Sequence, residues 1–380
     1  MAYFNKAETD RRLEGVRRIL AEKRLDAALV YFDELNVANG WYLTGWCGQF
    51  EKGAVLVPIH GEPILLGGPE SEPFAKMDSA ITKVRCFPVF MVPDEEYPNA
   101  TIIDFRQLDE ELRAEGTVLR RIGIVGTTTI PHQVYVDVSA GFAGAELIDI
   151  TEEYETMRAY KSPWEAEQAA ASVLLCDKAY EAMAAAIRPG AYEFAVAAAG
   201  EAVCRENGAN SFAYSTIVGS GARAKAVVPT ATNKRMEDGE LVMIGIAPRI
   251  NGYAGTFGDT LPVNGTFTQR QKDLLNHMLK PGMTGREIDR PGRLYYEKHG
   301  LAPYIVCPFA HSMGLMEAEA PFFGPNGDLP LAPGMIVNVD VSFFGHPELH
   351  GGRIETGFVI TQTGCEPLSR KLFDYFMKDL

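Results

Sequence analysis

The sequence predicts an α/β protein of two domains: an α/β domain over residues 1–155, then an α+β domain with an internal pseudo-twofold repeat over residues 156–380. Three observations carry this. Helix and strand patterns alternate along the first part of the chain. The character of the sequence changes between about residues 150 and 160. The second part then repeats itself once.

The first helix is predicted over Ala7–Lys23, where Leu13, Val16, Ile19 and Leu20 recur at three- and four-residue spacing with charges between them. Ala27–Phe32 reads as a short buried strand. Gly53–Pro58 is a second strand, the turn His60-Gly61-Glu62-Pro63 follows, and Ile64–Leu66 returns. Arg121–Val125 is another apolar strand. An acidic stretch begins at Glu152–Glu155. At Ser162-Pro163 the chain has a helix start: a serine cap, proline at the first helical position, and Glu165 three residues after the cap. A long Ala-rich helix is predicted from there to about Ile187.

The repeat is read from spacing. Arg188-Pro189-Gly190 recurs as Lys280-Pro281-Gly282, and each is followed by a helical stretch ending in Asn207-Gly208 or His299-Gly300. Proline to glycine is 208 − 189 = 19 in one copy and 300 − 281 = 19 in the other. Ser211–Val218 and Ala302–Phe309 are both predicted strand-like. Asp238-Gly239 before Leu241-Val242-Met243-Ile244 matches Pro333-Gly334 before Ile336-Val337-Asn338-Val339. The segment Gln269–Leu279 is short beside its counterpart Ser162–Ile187, so one half is expected to be truncated. The interface of two such halves is a natural cleft.

Composition narrows the function. Of the 380 residues, 46% are hydrophobic and 23% charged, which excludes a disordered or fibrous chain. No run approaches the roughly 20 apolar residues of a membrane span. The start lacks a basic segment followed by an apolar one, so no secretion signal is read and a cytoplasmic location is expected. Six cysteines stand singly, with no CxxC pair for structural zinc. The net charge of −14 argues against a nucleic-acid partner, because the phosphate backbone needs a basic patch.

A set of motifs runs in order along the second domain: Met157-Arg158-x-x-Lys161-Ser162-Pro163, Arg188-Pro189-Gly190, Val218-Gly219-Ser220-Gly221, Gly239-Glu240-Leu241-Val242, Gly252-Tyr253, His311-Ser312-x-Gly314, Pro333-Gly334-Met335 and Arg353-Ile354-Glu355. Over about 220 residues this resembles the creatinase/prolidase/methionine aminopeptidase family. The resemblance implies a pita-bread fold for 156–380 and a creatinase/prolidase-type domain for 1–155.

It also implies a ligand set. Metallopeptidases of the family hold two metal ions on two Asp, one His and two Glu, hard oxygens with one imidazole. Here Ile244-Gly245-Ile246 covers the first Asp position and Thr256 stands at the second. His311 is kept, Asp340 occupies the first Glu position, and Glu355 keeps the second. Val227 or Val228 stands where the peptidases carry a histidine before the Gly239 strand, and Ala318 stands for the one after His311. The expectation is therefore no cofactor, with one divalent metal ion on His311, Asp340 and Glu355 as the alternative. Asp259, His346 and His350 are possible substitute ligands, the two histidines being read as loop residues.

Creatinase is the family's metal-free precedent, so the main functional expectation is a creatinase-like hydrolase of a non-peptide C–N bond in a small nitrogen compound. His311 would be its acid–base. Asp340 and Glu355 would bind a cationic group, or pair with Arg353, Arg249 or Arg223 as structural ion pairs. Tyr253, Thr256 and Arg223 are candidate substrate-binding residues. Glu317 and Glu319 read as solvated loop charges. Trp46 and Phe50, in the Gly-rich loop after Trp41 and Tyr42, would cover a neighbouring subunit's site, which implies a homodimer. Two alternatives stand beside this: an Xaa-Pro-type metallopeptidase with a mononuclear site, and a non-catalytic binding protein on a peptidase fold.

Overall fold

The computed structural model describes residues 5–93, 97–269, 271, 286–327 and 329–376. The chain divides into two compact units, Met1–Arg158 and Ala159–Leu380.

In the first unit the elements alternate: α1 (Lys6–Lys23), β1 (Ala27–Phe32), α2 (Val37–Thr44), β2 (Gly53–Pro58), β3 (Ile64–Gly67), α3 (Glu72–Asp78), β4 (Val84–Cys86), α4 (Phe105–Ala114), β5 (Arg121–Val125), α5 (His132–Gly141), β6 (Glu146–Asp149) and α6 (Thr151–Ala159). Asn5 caps α1, its side chain accepting the Ala7 N–H at 3.0 Å, and Arg24 ends the helix in the left-handed conformation. The six strands form one sheet in the order β4-β3-β2-β1-β5-β6, with β1 antiparallel to β2 and parallel to β5. All six residues of β1 are buried, as its unbroken apolar run requires of a strand covered on both faces.

The second unit contains α7 (Pro163–Ala186), α8 (Glu193–Glu206), β7 (Ser211–Phe212), β8 (Ile217–Ser220), β9 (Leu241–Ile246), β10 (Pro248–Ile250), β11 (Tyr253–Ala254), β12 (Phe257–Pro262), α9 (Arg286–Lys298), β13 (Ala310–Ser312), β14 (Glu319–Phe322), β15 (Ile336–His346), β16 (His350–Ile360), β17 (Cys365–Pro367) and α10 (Arg370–Phe376). Its large sheet runs β14-β13-β15-β16-β12-β9-β8, with β17 beside β16. The repeat is visible here. The triplet β8, β9, β12 corresponds to β13, β15, β16, with starts displaced by 310 − 217 = 93, 336 − 241 = 95 and 350 − 257 = 93 residues. The two triplets meet where β12 pairs with β16.

One predicted strand is absent. Ala302–Phe309 contains a single 3-10 turn at Ala302–Tyr304, and the strand begins at Ala310. Pro303 and Pro308 have no N–H to give a ladder. The second repeat marker, Lys280-Pro281-Gly282, and nearly all of Gln269–Leu279 lie outside the described residues. Among the described residues, no helix is long and apolar enough to cross a membrane.

Period-2 alternation on β15 sorts the site from the core. Val339, Val341 and Phe343 pack with Tyr296, Leu301 and Phe309, which leaves Asn338, Asp340 and Ser342 on the opposite face. Helix α7 braces the sheet from a start set by a reciprocal capping box. Ser162 Oγ accepts the Glu165 N–H at 3.2 Å, and Glu165 Oε2 accepts the Ser162 N–H at 2.9 Å. Ser172 of α7 then stitches the turn before β12, its Oγ donating to the Tyr253 carbonyl and accepting the Ile250 N–H, each at 2.8 Å. The backbones come so close that a Cβ on Gly255 would lie 2.3 Å from Ser172 C and Val173 N.

That approach gives a stability prediction. Gly255→Ala should lower stability by about 1–3 kcal/mol, as overpacking does, because the new methyl meets backbone that has no rotamer to yield. Urea denaturation measures it, and a midpoint equal to the parent's would show that α7 shifts freely.

Candidate active site

Strand register builds the site. In one row across the sheet, Asp340 on β15 lies opposite Glu355 on β16, Glu355 opposite Gly258 on β12, and Gly258 opposite Gly245 on β9. Directly opposed residues share a face, so this row is two carboxylates followed by two positions without side chains. In the next row His311 on β13 lies opposite Asn338, which lies opposite Gly357. Glu317, on the turn between β13 and β14, completes a cluster. One ligand atom each from His311, Glu317 and Glu355 lie within 4.8 Å of one another.

His311 is buried. Its Nδ1 is 3.1 Å from the Ser312 carbonyl oxygen, and its Nε2 is 3.6 Å from Glu317 Oε1. A carbonyl can only accept, so Nδ1 donates to it, and Nε2 is the ring nitrogen that faces the carboxylates. Asn338 Nδ2 donates to Glu317 Oε1 at 2.9 Å, makes a short bond to Glu355 Oε1, and lies 3.3 Å from His311 Nε2.

Asp340 points elsewhere. Arg353 clamps it with two bonds, Nε to Oδ1 and Nη2 to Oδ2, both 3.1 Å, and Ser342 Oγ donates to Oδ1. Arg353 Nε also lies 3.5 Å from Glu355 Oε2. Among the described residues nothing donates to that Oε2, although it is buried. Gly258 makes room for this arrangement, since a Cβ there would meet Arg353 Cδ at 2.5 Å and Glu355 Oε2 at 3.0 Å.

Burial pushes the Glu355 carboxyl well above the ordinary range, the Asp340 charge pushes the same way, and Arg353 opposes both. Burial also raises Glu317, whose carboxyl lies within hydrogen-bonding reach of Glu355. Both carboxyls are thus held above the ordinary range by their burial. Tyr214 closes one side, its hydroxyl 2.9 Å from Thr256 Oγ1. Burial and the charges of Glu355 and Glu317 raise it far above an ordinary tyrosine.

Of the residues singled out from the sequence, His311, Glu355 and Thr256 fall on or beside this cluster, while Asp340 belongs to the Arg353 ion pair. Tyr253 is buried away from it, donating its hydroxyl to Glu165 Oε1 at 2.8 Å. Arg223 donates to Glu193 Oε2 at 3.0 Å and to the Thr230 carbonyl. Asp259 points to the other face of β12. It accepts Tyr180 Oη–H at 3.0 Å, and burial pushes it up to about 7. His346 Nδ1 accepts the N–H groups of Glu348 and Leu349, each at 3.2 Å, and so builds the hairpin turn that His350 leaves at φ +65°. Trp46 and Phe50 lie in the first unit, lining a cavity of about 320 Å³ with Trp41, Ser71 and Phe74.

Sequence reasoning missed Glu317, Asn338 and Tyr214. Glu317 carried one available signal: it sits six residues after His311 on a turn that must return to the same sheet. Asn338 carried another, an amide between valines on a central strand, where an unpaired polar group is costly.

Two family models match this chain: Metallopeptidase family M24 over residues 167–362 and the Creatinase/Prolidase N-terminal domain over residues 12–160. An uncharacterized peptidase, YqhT, of Bacillus subtilis is 29% identical over 93% of this chain and 96% of its own. An Xaa-Pro dipeptidase of Pyrococcus furiosus is 28% identical over 94% of this chain and 97% of its own. The solved structure of a prolidase from Pyrococcus furiosus superposes with a TM-score of 0.76 at 25% identity, covering 93% of this chain and 99% of that one.

These findings correct the expectation of a chain without a cofactor. The matching family is one of metallopeptidases, and His311, Glu317 and Glu355 form a metal-type donor set that the sequence reading did not assemble. The M24 match spans 362 − 167 + 1 = 196 of the 380 residues, and the N-terminal match precedes it in the family's domain order. The chain belongs to metallopeptidase family M24 and is a hydrolase acting on C–N bonds.

Proposed function

We propose that this chain is an Xaa-Pro-type dipeptidase or aminopeptidase that holds a single divalent metal ion on His311, Glu317 and Glu355. The observation that carries the reading is the convergence of one imidazole nitrogen and two carboxylates, from His311, Glu317 and Glu355, whose ligand atoms lie within 4.8 Å of one another. The donor set is hard oxygen plus nitrogen, as a catalytic divalent ion of this kind requires. The relatives named Xaa-Pro dipeptidase favour a peptide substrate over the creatinase-like one expected first.

The residues fit one ion and not two. Gly245 has no side chain, Thr256 is engaged by Tyr214, and Asp340 is committed to Arg353.

What an ion held there supplies is polarisation of the scissile carbonyl and a lowered pKa for a bound water. The chain's own groups do the rest. The Ser312 carbonyl fixes the His311 tautomer and ring direction. Arg353 clamps Asp340 with two hydrogen bonds and so ties β16 to β15 beside Glu355. Glu317 and Glu355, side by side, would be the groups placed to take a proton from an attacking water. The homodimer expected from the resemblance is part of this proposal. Phe50, 77% exposed at φ +66°, is the apolar tip it offers.

Metal content after loading with manganese or cobalt should be near one ion per chain, and hydrolysis of an Xaa-Pro dipeptide should stop with chelator. A stoichiometry near two, or turnover that survives chelation, would sink the mononuclear reading.

The raised carboxyl gives a second test. Folded Glu355 keeps a proton that the unfolded chain releases around pH 4.5, so its contribution is fully present below that pH and is lost as pH rises toward the folded value. In metal-free protein, the Tm difference between parent and Glu355→Gln should therefore shift in favour of the variant as pH rises from 5 to 8. The variant should also lose more metal affinity than the roughly 10–100-fold typical of outer-shell changes. A Tm difference that does not change with pH would show that Glu355 is ionised in the fold.

A further inference from the structure

Asn338 stands at the centre of the donor cluster. It is fully buried on β15, and its single Nδ2 contacts all three donor atoms: Glu317 Oε1 at 2.9 Å, Glu355 Oε1 more closely, and His311 Nε2 at 3.3 Å. The amide carries two hydrogens for three acceptors, so its N–H groups face a centre made of acceptors alone. The other end of the amide is as informative. Oδ1 is buried and has no hydrogen-bond partner among the described residues. A buried carbonyl oxygen left unpaired is a standing cost, and it sits on the side chain closest to the cluster's centre.

The two ends of an amide are nearly alike in size and shape, so a half-turn about Cβ–Cγ exchanges them without moving the strand. Their charges are opposite. N–H groups suit a centre of bare acceptors, and a carbonyl oxygen suits a centre that holds a cation. We propose that Asn338 is a reversible fourth donor of the metal centre. Without a cation its N–H groups bridge His311, Glu317 and Glu355 and hold them converged. With a cation at the centre the amide turns, and Oδ1 becomes a ligand. This rests on the mononuclear reading of the same site. It also sets a direction: an amide oxygen beside two carboxylates makes the set richer in oxygen and shifts its relative preference from zinc toward manganese.

The test uses the full chain and the metals alone. Titration calorimetry with manganese and with zinc, and the visible spectrum of the cobalt-loaded protein, are measured on the parent, Asn338→Ala and Asn338→Asp. The expected result is that Asn338→Ala weakens manganese binding about tenfold or more, weakens zinc less, and alters the cobalt bands. Asn338→Asp, which keeps an oxygen at that reach, should bind manganese at least as tightly as the parent while melting lower without metal. If Asn338→Ala does not fold, the aspartate variant carries the test, and a loss of its manganese affinity overturns the proposal. Unaltered cobalt bands in Asn338→Ala would reduce Asn338 to an outer hydrogen-bond donor, and tighter manganese binding would make it only a competitor; either result overturns the proposal. Parent protein that binds no ion sinks the mononuclear reading together with this proposal. Parent protein that binds one ion, with Asn338→Ala unaffected, sinks this proposal alone.

Discussion

The bidentate pair between Arg353 and Asp340 is the interaction on which the site depends. Three carboxyl groups are held at one face of a sheet, and charges there are costly unless paired. Arg353 lies on β16 two residues before Glu355, so period-2 alternation puts it on the same face, opposite Ser342 and one step from Asp340. From that position it makes two hydrogen bonds to Asp340 and lies 3.5 Å from Glu355 Oε2. Asp340 is thereby engaged in that pair, while burial holds the Glu355 carboxyl well above the ordinary range. Breaking such a pair typically costs about 3–5 kcal/mol, because the partner is left buried and charged.

Glycine decides the other half of the row. Gly258 and Gly245 follow Glu355 across the sheet, and Gly245 stands in the stretch where the resemblance places the first Asp of a dinuclear centre. Their missing side chains are used in different ways. Gly258 gives Arg353 and Glu355 the space that a Cβ would take. Gly245 lies between Ile217 and Gly258 in register, in a strand buried along its whole length. The second half of the repeat thus supplies the polar groups and the first half supplies walls. An asymmetric site on a symmetric scaffold follows directly from that division.

Much of this was legible beforehand. The strands Ala27–Phe32, Gly53–Pro58 and Arg121–Val125 are bounded as their apolar runs suggested. The Ser162-Pro163-x-Glu165 start carries the full capping box. Local chemistry decides these features, since a cap and its helix lie within four residues of each other. His311 and Glu355 were legible from motif order. Glu317 was misread as a solvated charge because a turn residue's direction depends on the strands it joins. Asn338 was passed over as one member of an apolar strand, because its partners lie 17 to 27 residues away along the chain.

The sequence by itself determined the two-domain architecture and the repeat, because these rest on periodicity, spacing and local caps, and its motif order singled out His311. Only the tertiary structure decided which carboxylates face that histidine. Asp340 and Glu355 sit in equivalent positions on paired strands, and nothing in their spacing distinguishes a ligand from half of an ion pair. The choice falls to where one guanidinium comes to rest, and that is set by a glycine on a third strand, nearly a hundred residues away in the chain.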